Sequence, residues 1–127
     1  MSRRDLALSL FVAVTAAEGL THGLTLNTAD AWTTGTLALI VFSALSWMAR
    51  QGRPIPLWTV VVVMLVTATR HLMAGAIILT ADPTTANSGL TGEGMAGAGL
   101  IRLAAGAALV WAALVVFLSR HRRDDHG

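Results

Sequence analysis

Leu57 to Thr80 reads LWTVVVVMLVTATRHLMAGAIILT, an uninterrupted apolar run except for an Arg-His pair set well inside it. About 20 apolar residues cross the roughly 30 Å hydrocarbon core of a bilayer as a helix. This run is longer, so it predicts a transmembrane helix. Arg70 lies about 20 Å along it, at about 1.5 Å per residue, too deep to snorkel easily back to the end where the helix starts. An ionisable group at that depth costs about 2.5 to 3.5 kcal/mol unless it finds a partner or water. Arg70 and whatever accompanies it are therefore the functional question.

The rest of the chain fits the same environment. Of its 127 residues 54% are hydrophobic and 13% charged, too little polar surface for a soluble domain of this size. With no cysteine, thiol catalysis, disulfides, iron-sulfur clusters and Cys-ligated zinc are excluded. The nine basic residues are all arginines, most of which flank apolar segments, a pattern that speaks for topology and against nucleic acid.

Three further runs are long enough to span. The first is residues 6–26, which carries Glu18 and His22; because apolar character resumes after Glu18, it reads as a helix and not as a cleaved signal peptide. A short polar turn, Asn27 to Ala31, leads to the second run, residues 32–49, with Trp32 and Trp47 placed for the interfacial aromatic belt. Its Thr36, Ser43 and Ser46 suggest interhelical hydrogen bonds. Arg50 to Pro56 forms a tight connection to the third helix, 57–80, in which Gly52 and two prolines block helix continuation. A polar loop, Ala81 to Gly94, precedes the fourth helix, 95–118, and a charged tail, 119–127, follows it. The expected fold is an all-α, single-domain four-helix bundle in the membrane.

Arg3, Arg4, Arg50, Arg53, Arg120, Arg122 and Arg123 fall on the side of both termini, and the other side carries Asp30, Asp82 and Glu93. By the positive-inside rule both termini are cytoplasmic, in the cytoplasmic membrane of a prokaryote.

Counted from the cytoplasmic end of each helix at about 1.5 Å per residue, Glu18 lies at about 18 Å, Arg70 about 20, His71 about 21, and His22 and Arg102 about 24 Å. Three helices thus put their ionisable groups within roughly one helical turn of one another. Thr15, Glu18, His22 and Thr25 form one polar stripe at spacings of three and four. Arg70 and His71 diverge by about 100° and cannot both point the same way. Around Arg102, Ala98, Gly99, Ala105 and Gly106 permit close helix approach, within the chain or to a second copy or larger complex.

Three readings of this cluster stay open. Glu18 paired with Arg70 or Arg102 would orient the bundle, making the chain an accessory or structural subunit. A pocket rich in Arg and His would bind or conduct an anion or a proton. His22 and His71, from parallel helices at nearly one depth, would be the metal ligands of a single b-type haem, with quinone binding leaving similar traces. No catalytic motif is present, so the chain is not expected to be an enzyme on its own.

The basic Gly-containing loop, Pro56-Leu57, the β-branched run and Arg70 fourteen residues after the proline resemble the phosphate-starvation-inducible E family of small four-helix inner-membrane proteins. The resemblance implies four spans, an inner-membrane location and a cytoplasmic basic loop. The chain departs from that pattern in lacking an acidic residue inside the second helix and in carrying Arg102.

Overall fold

A computed structural model of the chain describes residues 2–80 and 92–120. It contains four helices, α1 Arg3–Leu26, α2 Ala29–Arg50, α3 Pro54–Thr80 and α4 Gly92–Leu118, each long and apolar enough to cross a membrane. Residues 81–91 of the expected loop Ala81 to Gly94, and the tail residues 121–127 with His121 and His126, lie outside the described residues.

The helices start earlier than the apolar runs, and local chemistry explains each start. Ser2 caps α1 by accepting a hydrogen bond from the Asp5 amide at 3.0 Å. The turn expected over Asn27 to Ala31 shrinks to two residues. Asn27, left-handed at φ 48°, closes α1 by donating its N–H to the Gly23 carbonyl, and Thr28 caps α2 through the Ala31 amide. The third helix, expected from Leu57, starts three residues earlier and takes both prolines into its first turn. Pro54 and Pro56 lack N–H groups only where a helix has no partner for them, and the first i to i−4 bond runs from Leu57 N to Arg53 O at 3.1 Å. The connection is left to Gln51, Gly52 and Arg53, with Gly52 at φ 80°. In α4, Gly92 to Gly94 are helical where a loop was expected; glycine weakens a helix by about 1 kcal/mol but does not forbid it.

Each helix packs on its neighbours in the chain, and α4 closes the ring against α1, so α1 and α3 stand diagonally opposed. The hydrophobic core occupies the half of the bundle that holds the start of α1 and the end of α4. It is built from Leu8 and Phe11 of α1, Leu57, Val60 and Met64 of α3, and Leu109 and Val116 of α4. Arg4, only 5% exposed, ties that end together. Its guanidinium donates to the Ser119 hydroxyl at 2.9 Å, to the Ser119 carbonyl, and to the Arg50 carbonyl at 3.4 Å. One side chain from α1 thus satisfies carbonyls at the ends of α2 and α4 that no intrahelical donor reaches. Asp5 pairs with Arg50 beside it at 3.0 Å. Ser119, the first residue of the expected charged tail, is the anchor point of this clamp.

In the other half, contacts between backbones replace the apolar core. Within a bilayer no hydrophobic driving force pulls helices together, and small residues that let backbones touch do much of the holding. Gly19 and Gly35 bring α1 and α2 together, and Gly23 accepts the ring of Trp32 against its Cα. A Cβ on Gly75 would lie 2.9 Å from the Gly99 carbonyl oxygen, and one on Gly106 2.7 Å from Leu72. Gly99 and Gly106 of α4, expected to permit close helix approach within the chain or to a second copy or larger complex, make that approach to α3. Of the expected interhelical hydroxyls in α2, Thr36 bonds back to the Trp32 carbonyl of its own helix and Ser46 has no hydrogen-bond partner among the described residues.

Candidate functional site

Two glycine-fastened helix pairs, α1 with α2 and α3 with α4, leave a gap between them above the apolar core. A cavity of about 880 Å³ occupies that gap, and Glu18, His22, Arg70, His71 and Arg102 all line it. Their heights agree closely once the real helix ends are used. Glu18 is fifteen residues from Arg3, Arg70 and His71 are sixteen and seventeen from Pro54, and Arg102 is sixteen back from Leu118. At about 1.5 Å per residue the four lie within about 3 Å of one another along the bundle.

The facing of each side chain follows from its register. The buried face of α3 runs Leu57, Val61, Met64, Ala68, His71, Gly75, alternating steps of four and three. His71 lies on that stripe and is 6% exposed, whereas Arg70, about 100° away, is exposed. On α1 the sequence Leu8, Phe11, Thr15, Glu18 continues the core face upward into the cavity. Arg102 stands on α4 between Gly99 and Gly106, and its long side chain is exposed. His22, one turn beyond Glu18, is exposed too. From α2 come Thr34, Gly35, Ala38 and Phe42, none of them ionisable.

The pairing differs from the expectation. One of the three readings paired Glu18 with Arg70 or Arg102. Instead its Oε1 meets His71 Nε2 in a direct hydrogen bond across the bundle diagonal, and neither arginine has an ion-pair or hydrogen-bond partner among the described residues. The reason is geometric: His71 is the ionisable residue on the buried stripe of α3, directly opposite Glu18. One proton is shared in that contact, the Nε2–H donating to the carboxylate or the carboxyl O–H donating to a bare Nε2. Nδ1 of His71 is buried and has no partner among the described residues.

This arrangement bears on the haem alternative. A bis-imidazole haem needs a ring nitrogen from each histidine facing one iron. His71 engages Glu18 through Nε2 and buries Nδ1, so it turns no nitrogen toward the open cavity. The donor set does not fit the group.

A second cleft, about 620 Å³, lies between α1 and α2 nearer the termini. It is lined chiefly by Leu8, Val12, Ala13, Ala16 and Trp47, and its charged residues, Asp5 and Arg50, already pair with each other.

The sequence reading missed the α2 wall of the main cavity and the buried role of Arg4. A signal was present for Arg4, which precedes Leu8, Phe11, Thr15 and Glu18 at the same four-three spacing.

Four helices of membrane-spanning length and composition around a charged cavity define a small multi-pass membrane protein. The chain matches no protein-family model, no curated protein and no solved structure.

Proposed function

We propose that the protein binds a small anion in its intramembrane cavity and that Arg70 and Arg102 supply the charge that holds it. The observation that carries this reading is the distribution of partners. Among the described residues the one carboxylate lining the cavity, Glu18, is engaged by His71, while both arginines line the same space with no carboxylate opposite them. Arginine presents a planar fork of N–H donors and keeps its charge at all physiological pH, which suits it to oxyanions. Fixed positive charge at membrane depth is costly on its own, and an anion offsets that cost.

The surrounding topology supports an outward-facing site in a prokaryotic cytoplasmic membrane. The positive-inside rule puts both termini, the Gln51–Arg53 connection and the Arg4 clamp in the cytoplasm. The apolar core then lies below the cavity, on the cytoplasmic side. The layout shared with the phosphate-starvation-inducible E family agrees with that location.

Exposure of both arginines favours one further reading, an accessory subunit in which a neighbouring chain brings the counter-charge. Thermal unfolding of the purified protein in detergent separates the two. An anion-binding chain is stabilised by sulfate, phosphate or chloride in a saturable way, as ligand linkage requires, and the stabilisation is lost in Arg70→Gln with Arg102→Gln. An accessory subunit shows no anion-specific stabilisation.

A further inference from the structure

Charge accounting in the cavity carries the anion reading a step further. Arg70 and Arg102 contribute two fixed positive charges. With Glu18 as carboxylate and His71 as neutral imidazole donating its Nε2–H, the pair carries one negative charge, and the cavity is left with a net charge of plus one. That matches a monovalent anion. A divalent oxyanion would leave one negative charge uncompensated at membrane depth, where it is disfavoured. A second proton on the pair removes it.

The geometry provides a place for that proton and a way in. Glu18 has a side chain 34% exposed on the cavity side of the contact, so water can reach the carboxylate. His71 has two ring nitrogens, Nε2 in the contact and a buried Nδ1 that has no partner among the described residues. The pair can therefore hold the added proton as carboxylate with imidazolium, or as carboxyl with neutral imidazole. Among the described residues the other charged or titratable groups facing it are His22 on α1, Arg70 on α3 and Arg102 on α4; the α2 wall contributes none.

We infer that the cavity takes up one proton from water onto the Glu18–His71 pair with each divalent oxyanion it binds. This rests on the anion reading above and specifies the class of ligand and its coupling. The proton adds to the pair as an N–H or O–H bond, and no covalent bond to the anion forms or breaks.

Isothermal titration calorimetry on the purified full-length protein in detergent tests it, using sulfate as the divalent probe because sulfate does not itself titrate near neutral pH. Repeating the titration at one pH in buffers with different ionisation heats gives the number of protons absorbed. About one proton is expected per sulfate and about none per chloride, with sulfate affinity falling about tenfold per pH unit over the range in which the uptake is seen. In Glu18→Gln, sulfate still binds and the uptake disappears. Sulfate binding with no proton uptake by the wild type overturns this inference and leaves the anion reading standing. Binding of neither sulfate nor chloride overturns both. Uptake lost in His22→Gln and kept in Glu18→Gln overturns the assignment to the pair. The wild-type contrast between sulfate and chloride decides the matter even where a variant fails to fold.

Discussion

Replacing Glu18 by Gln tests which residue the intramembrane carboxylate holds. The contact with His71 is a hydrogen bond in which at least one partner can be charged, and such bonds contribute about 1.5 to 3 kcal/mol. Breaking a fully buried pair costs about 3 to 5 kcal/mol. Here the histidine side chain is 7% exposed and the glutamate 34%, so water on the cavity side relieves part of the loss. A destabilisation of about 2 kcal/mol is expected for Glu18→Gln, in the range set by those two classes. His71→Gln should cost a similar amount, and the double variant little more than either alone, giving a coupling energy of about 2 kcal/mol. The same cycle between Glu18→Gln and Arg70→Gln should give less than about 0.5 kcal/mol. Reversible unfolding in mixed micelles by titration with a denaturing detergent measures all four corners. Additive losses for Glu18 with His71, or a larger coupling with Arg70, would refute the pairing and restore the arginine partner that one reading of the sequence offered.

Three other outcomes follow from the structure. Gly75→Ala should destabilise the protein by about 1 to 3 kcal/mol, because the new Cβ would meet the Gly99 carbonyl at 2.9 Å; Gly97→Ala, which meets nothing within 4 Å, should be neutral or stabilising by up to about 1 kcal/mol. Equal effects in the two variants would show that α3 and α4 do not touch there. Single cysteines in this cysteine-free chain report topology: a membrane-impermeant thiol reagent applied to intact cells should label position 88 and spare position 51, and the opposite pattern would invert the orientation. Protein produced with haem in excess should show no Soret band; a strong band lost in both His22→Gln and His71→Gln would restore the haem reading.

Much of the architecture was legible because membrane thickness converts run length directly into helices. The common depth of Glu18, Arg70, His71 and Arg102 was legible for the same reason, since depth is a residue count multiplied by a fixed rise. Partner choice was not. Arg70 and His71 are adjacent, and which one faces inward depends on the register of α3 against α4, fixed by Gly75 on one helix and Gly99 and Gly106 on the other. The run Leu57, Val61, Met64, Ala68, His71, Gly75 does encode that register, but among so many valines and leucines other stripes compete with it. Arg4 illustrates a second limit. A terminal arginine reads as a topology signal, and its bonds to Ser119 and Arg50 join positions 115 and 46 residues away that local patterns do not connect.

Equilibrium binding of radiolabelled sulfate to purified protein tests the anion cavity most directly. The expected result is one saturable site per chain, weakened more than tenfold by Arg70→Gln or Arg102→Gln and abolished when both are changed. Wild-type protein that binds no sulfate, or a double variant that binds as well as wild type, would contradict it.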